Sequence, residues 1–394
     1  MDIDKIRGDF PILGKNIIYF DNAATTLTPK QVLDSVYNYY TNYRANIYRG
    51  IYKLSLRASK EYDKAREKVA SFIKCKPEEL IFNRNTSEGI NQVALSLKFE
   101  KGDRVITTAI EHHSNLLPWM KLRDKGVEID FVFPDKEGKL NPRDFKERIN
   151  DKTKIVAVTH ISNVLGIKNP VERIGKICKK EDILFIVDGA QSAPHIPINV
   201  KKIGCDFFAF SGHKMLAPTG IGALYMKYDL VNELNPVYIG GGTIKDVSLS
   251  EYSLMDSVVK WESGTPNISG AIGFGRAVDY INSIGMKNIE RYEGKLTKML
   301  LKELSNIDNV IIYGTKDYKD KIGIITFNIE GIDAHEVAKI LDERNNICVR
   351  SGYHCTMPLF KNVIKANESV RASFYLYNTI DEINTFLSVI RTLA

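Results

Sequence analysis

The 394-residue sequence predicts a three-layer α/β/α domain with a mainly parallel sheet, followed by a smaller α+β domain. Three observations carry this reading. Short, largely apolar runs recur from residue 17 to about 226, helical patterns lie between most of them, and from about residue 270 this alternation stops. The runs are Ile17–Phe20, Leu80–Phe82, Arg104–Thr107, Phe131–Phe133, Ile155–Thr159, Ile183–Val187, Phe207–Phe210 and Ile221–Met226. Each ends in polar or glycine-bearing residues, as a strand leaving a buried sheet must. Helices are expected near 29–42, 57–74, 87–98, 114–125, 142–149 and 170–180. Beyond them a long helical stretch (270–305) leads to Val310–Tyr313, Gly323–Asn328, a helix near 334–344, Ile347–Arg350, Val370–Ser373 and a last helix from 380. These pieces suit a small domain with an antiparallel sheet. The division expected is a large domain over 15–268 and a small one over 1–14 and 269–394.

Composition narrows the function classes. Hydrophobic residues are 44% and charged residues 26%, ordinary for a globular chain. Lys and Arg number 55 against 48 Asp and Glu, and the formal net charge of +7 is spread among alternating signs. That pattern reads as a solvated surface and argues against a dedicated nucleic-acid or membrane role. No run approaches a membrane span, and MDIDKIRGDF has no secretory apolar segment, so a cytoplasmic location is expected. Five cysteines without framework spacing fit a reducing compartment, and no C-x-x-C or H-E-x-x-H pattern suggests a metal site. Gly270-x-x-Gly273-x-Gly275 opens a helix without a preceding strand, which favours helix packing over dinucleotide binding.

In parallel α/β sheets, ligands bind beyond the carboxyl ends of the strands, and the reactive residue types cluster there. Phe207-Phe-Ala-Phe runs into Ser211-Gly-His213-Lys214, placing an amine at a strand end, suited to a Schiff base with an aldehyde cofactor. Asp188 closes Ile183–Val187, where a buried carboxylate needs a positive partner. A protonated pyridine nitrogen is one such partner; a metal or a helix N-cap are others. His112 and His113 follow another strand, and adjacent histidines point apart, so one is expected to serve a given site. Thr86 and Ser87 stand at a helix start, as phosphate ligands or as a simple cap. Cys355 lies in the polar stretch Ser351-Gly-Tyr-His, unlike the four cysteines with bland hydrophobic settings.

Together the segments YFDNAATT, YRGIY, TSEGIN, EHHSNLLPW, THISNVLG, VDGAQ, FSGHK, PTGIG, ESGTPN, VRSGYHC and RASFYLYNT resemble the class V, fold-type I pyridoxal phosphate enzymes, most closely cysteine desulfurases of the Suf type. The resemblance runs nearly end to end. It implies that Lys214 carries the cofactor, Asp188 pairs with the pyridine nitrogen, Gln191 bonds the phenolic oxygen and His112 stacks on the ring. It implies a phosphate held by Thr86, Ser87, Ser211 and His213, with Thr265 donated by the second subunit of a homodimer. Asn163 and Arg371 would hold the substrate carboxylate, with Arg350 a further substrate-binding residue, and Cys355 would be the nucleophile, its ionisation favoured by His354, Arg350 or the substrate. The implied reaction converts L-cysteine to L-alanine and leaves a persulfide on Cys355, for a small sulfur-acceptor protein and a Suf-type scaffold that builds iron–sulfur clusters. L-selenocysteine lyase activity, or another class V reaction, is the alternative. Tyr48 and Tyr353 stand where the family often has histidine, and Ser87 where it often has threonine.

Overall fold

The computed structural model describes residues 1–394. Its centre is a seven-stranded sheet ordered Leu80–Asn83, Gly222–Met226, Phe207–Ser211, Leu184–Asp188, Thr153–Thr159, Arg104–Thr108, Glu128–Val132. Neighbours run parallel except Gly222–Met226, which is antiparallel to both strands beside it. The apolar runs arise because both faces are covered. Along one strand Phe208 and Phe210 enter one hydrophobic cluster, while Phe207 and Ala209 enter another. Ile186 likewise faces the second cluster, and Phe185 and Val187 the first. Successive side chains point to opposite faces of a strand, so this alternation is the three-layer arrangement.

A second sheet of four strands is ordered Val310–Ile312, Ile324–Ile329, Ser369–Ser373, Arg350–Gly352, all antiparallel. It has its own core of Phe20, Leu296, Leu300, Phe327, Val370 and Phe386, among others.

Several expectations change. Ile18–Tyr19 does not join the large sheet; it pairs in parallel with Ile347–Cys348, a partner too distant in sequence for local pattern to reveal. The expected strand Ile347–Arg350 is accordingly two pieces, since Arg350–Gly352 pairs instead with Ser369–Ser373. The strand near 131–133 is Glu128–Val132. The 114–125 region is broken into short helical turns around Pro118 rather than one helix. The stretch 270–305 is two helices, Ile268–Ile284 and Met286–Leu304, separated by Gly285 at φ 88°. The first belongs with the larger cluster, and Leu296–Leu304 of the second with the smaller. The glycine triplet packs helices: a Cβ on Gly275 would lie 2.9 Å from Ala65, and one on Gly273 2.9 Å from Pro218. No helix is long and apolar enough to cross a membrane.

Residues 21–26 strap the two sheets together. Asp21 bridges to Ser373, and Ala23 N–H donates to Ser373 Oγ at 2.9 Å. Ala23 O accepts from Gln191 Nε2 at 2.7 Å, and Thr26 N–H donates to His213 O at 2.9 Å.

Candidate active site

A cavity of about 200 Å³ opens at the carboxyl ends of the central strands. Lining it are Thr86, Ser87, His112, Asn163, Asp188, Gln191, Ser211, His213, Lys214, Arg350 and Arg371. The large sheet thus collects residues from five separate segments, and the small sheet contributes the two arginines.

At its floor, the Asp188 side chain accepts from Ala190 N–H at 2.9 Å through one oxygen. Burial raises the Asp188 carboxyl pKa, opposed by that hydrogen bond and by Lys214. Lys214 ends a short turn after Phe207–Ser211. Burial lowers its amine to about 8, against the pull of Asp188 and with Arg371 and Arg350 adding repulsion. Gln191 donates to Ala23 O, and its Oε1 has no protein partner. Burial, with Lys214 nearby, holds the His112 imidazole down at about 3. Its Nδ1 accepts from Ser114 N–H at 3.1 Å, which leaves the ring proton on Nε2.

The anion end lies at the start of helix Thr86–Ser96, where free N–H groups and the helix dipole favour negative charge. Asn85 caps it by accepting from Glu88 N–H, which frees the neighbouring hydroxyls. Thr86 and Ser211 hydroxyls lie 2.7 Å apart, and Ser87 Oγ is 2.6 Å from Ser114 Oγ. His213 Nδ1 is 3.2 Å from Thr25 Oγ1. An acid for a pyridine nitrogen, an amine, a flat neutral imidazole, an amide with unused capacity and a hydroxyl-lined helix start fit pyridoxal phosphate.

The two arginines face each other as register partners on adjacent strands. Like charges directly opposite are destabilising, so the pairing marks a place for anions. Arg371 is buried; its Nη2 pairs with Asp21 Oδ1 at 3.0 Å and its Nη1 donates to Asn163 O at 2.9 Å. Arg350 Nη2 donates to Cys355 Sγ at 3.5 Å. Cys355 does not line the cavity itself; Arg350 connects the two. Burial instead pushes the thiols of Cys75 and Cys178 up to about 12.

Asn163 is placed differently from a free carboxylate ligand. Its Nδ2 donates to His354 O at 2.7 Å and its Oδ1 accepts from Thr356 Oγ1 at 3.1 Å, so the amide brackets Cys355. Thr265 lies apart, in a second cavity with Tyr48, Arg49, Gly242 and Glu262. Tyr48 donates to Asp63 at 2.5 Å, and Tyr353 packs edge-on against Phe360 at 5.6 Å.

Sequence reasoning passed over Asp21 and Glu111, and gave His113 no role of its own. Buried Glu111 accepts from Thr108 Oγ1, Asn115 Nδ2 and Thr159 N–H, tying the histidine pair to the next strand. Burial raises its carboxyl to about 8 despite these bonds. The two rings point apart, as expected of adjacent histidines, and only one of them lines the cavity. His112 faces the cavity, while His113 meets the cysteine segment: its N–H donates to Cys355 O at 2.8 Å and its Nε2 accepts from Met357 N–H at 3.2 Å. The only signal in the sequence was that the two histidines are adjacent.

Residues 18–386 match the family described as Aminotransferase class-V. A probable cysteine desulfurase of Pyrococcus abyssi is 45% identical over 99% of this chain and 97% of its own length. The apo structure of the cysteine desulfurase from Thermococcus onnurineus superposes with a TM-score of 0.96 at 46% identity, covering 99% of this chain and 97% of that one. An Escherichia coli cysteine desulfurase, solved as an S-sulfonic acid, gives 0.92 at 28% identity over 100% of this chain and 98% of that one. By sequence and by fold alike, the chain belongs to the class-V aminotransferase family, among relatives named cysteine desulfurases.

Proposed function

We propose that this protein is a pyridoxal-phosphate-dependent cysteine desulfurase that takes L-cysteine to L-alanine and holds the sulfur as a persulfide on Cys355. The carrying observation is Arg350, which lines the cavity of Lys214 and Asp188 and also touches the Cys355 sulfur. Bound pyridoxal phosphate supplies the electron sink that allows bonds at the substrate's α and β carbons to break. Asp188 holds a proton at the pyridine nitrogen. His112, neutral with its proton on Nε2, would lie against the ring. Thr86, Ser87, Ser211 and His213 receive the phosphate, and Gln191 the phenolic oxygen. Arg371 grips the substrate carboxylate, with Asn163 beside it. Lys214, whose amine is lowered to about 8, would hold the cofactor and would move the proton at the substrate's α carbon. Cys355 attacks the substrate sulfur as a thiolate, the nucleophilic form of any thiol, with the Arg350 guanidinium 3.5 Å from its Sγ. The sulfur–sulfur bond forms as the carbon–sulfur bond breaks; its electron pair stays with the carbon fragment, which takes up protons and leaves as alanine.

The protein works as a cytoplasmic homodimer in this reading. Thr265 lies outside the cavity of its own chain, so a second copy would bring it to the phosphate. Exposed Ile51, Leu56 and Leu249 offer apolar surface for such a contact. A small acceptor protein then collects the sulfur for iron–sulfur cluster assembly. Support comes from the brevity of the nucleophile segment, because the strand runs to Gly352 and the next helix begins at Met357. Cys355 therefore delivers sulfur where it stands.

Rapid-quench kinetics on the holoenzyme test this reading. A burst of alanine equal to the number of sites is expected, then a slow phase hastened by dithiothreitol or an acceptor. Cys355→Ser should keep the cofactor spectrum and lose the burst with L-cysteine, and assays with L-selenocysteine would set the substrate preference. Steady alanine release without a burst, unaffected by thiol, would overturn it.

A further inference from the structure

We propose that His113 is a positioning residue for Cys355, its imidazole holding the nucleophile segment in the backbone shape that presents the thiol. The inference rests on the reading of Cys355 as the nucleophile.

His354 and Cys355 stand consecutively in the left-handed region, at φ 49° and 58°. For residues with a Cβ this conformation crowds the side chain against the backbone, and two in succession are rarer still. Such a shape persists only where the surroundings over-determine it. Asn163 grips the segment at His354 and Thr356, and His354 Nε2 lies 2.9 Å from Ser369 Oγ. His113 grips the segment at Cys355 and just beyond it, by its main-chain N–H to the Cys355 carbonyl and by ring Nε2, which accepts from the Met357 N–H. The second bond needs a neutral ring with Nε2 unprotonated, and burial lowers the His113 pKa from its ordinary value.

The support beneath His113 is rigid. Glu111, two residues earlier, is fixed by Thr108 and Thr159 at the ends of two parallel strands and by Asn115 of the following turn. The tight turn His113–Asn115 follows at once. The histidine rings lie 6.4 Å apart and tilted by 49°, so one anchored turn sends His112 to the cofactor cavity and His113 to the cysteine. The placement of the attacking sulfur is thereby referred to the same two strands that place the ring-stacking histidine.

The test compares holoenzymes carrying His113→Ala and His113→Gln. Alanine keeps the main-chain bond to Cys355 and removes only the ring acceptor; glutamine returns an acceptor oxygen at similar reach. For His113→Ala, the cofactor spectrum and KM for L-cysteine should stay within about twofold of wild type, while single-turnover persulfide formation falls about tenfold, the scale of one lost hydrogen bond that orders a reacting group. His113→Gln should recover most of that rate. Wild-type persulfide formation in His113→Ala, glutamine no better than alanine, or a parallel loss of cofactor binding would each overturn the inference. Cys355→Ser separates the two layers. If it still desulfurates cysteine, the nucleophile reading has failed; if it is inactive while His113→Ala is unimpaired, only the positioning role has.

Discussion

The cofactor cradle and the cysteine segment lie on either side of Arg350 but are built on different principles. The cradle uses strand ends of a sheet buried on both faces, and Asp188, Gln191 and Ser211 are each nearly inaccessible. Side chains there inherit their positions from backbone ladders. The cysteine segment has no ladder of its own between Gly352 and Met357. It is held by side-chain bonds from Asn163, His113 and Ser369, across a left-handed backbone. Fixed charges suit the strand ends of a sheet, whereas the thiol of Cys355 takes its place from side chains that reach it from several distant elements.

The largest effect expected from breaking this contrast is at Lys214. Lys214→Ala should abolish covalent cofactor attachment and all turnover while leaving the fold intact, because the lysine follows the strand rather than filling its core. Borohydride reduction and peptide mapping of the wild type should place the pyridoxyl group on Lys214; label on another lysine would contradict the assignment.

The arginine pair sharpens the comparison, since both line the cavity but Arg350 also donates to the Cys355 sulfur. Arg371→Lys loses a buried, charge-assisted fork and should raise KM for L-cysteine about 10- to 100-fold, with persulfide formation from bound substrate little changed. Arg350→Lys should show the reverse emphasis, slowing persulfide formation more than it raises KM. Equal effects of both variants on both constants would remove the division of labour.

A smaller effect concerns pH. An amine attacks an aldehyde in its neutral form, which accumulates above its pKa. With Lys214 lowered from 10.5 to about 8, the rate at which the apoenzyme takes up pyridoxal phosphate should climb as pH rises through about 8 and then level off. Asp188 raises the Lys214 pKa, so Asp188→Asn should move the midpoint down. A midpoint near that of an ordinary lysine would show that burial does not act on this amine as described.

Much of the cradle was legible in the sequence. Doubly buried strands must be apolar throughout, so the polar residues that end them stand out; Asp188 and Lys214 were visible for that reason. The cysteine segment was legible only as a motif. Nothing local announces that His354 and Cys355 adopt positive φ, or that Asn163, nearly two hundred residues earlier, brackets them. The strand pair Ile18–Tyr19 and Ile347–Cys348 escaped for the same reason, since a parallel partner so far away leaves no periodicity. The break at Gly285 was hidden because the helical pattern continues on both sides of it.

The strap of residues 21–26 bears on the spacing across the cavity. It is bonded at once to Ser373 and Arg371 on the small sheet and to Gln191 and the His213 carbonyl on the large one. A shift of one sheet past the other by even about an ångström would stretch this whole set together, well beyond hydrogen-bonding tolerance. The spacing between the lysine side and the arginine side is therefore gauged by a short piece of main chain, as a jig fixes the gap between two jaws. Lys214 and His112 on one side and Arg350 and Arg371 on the other are thereby held at a separation that neither sheet sets alone.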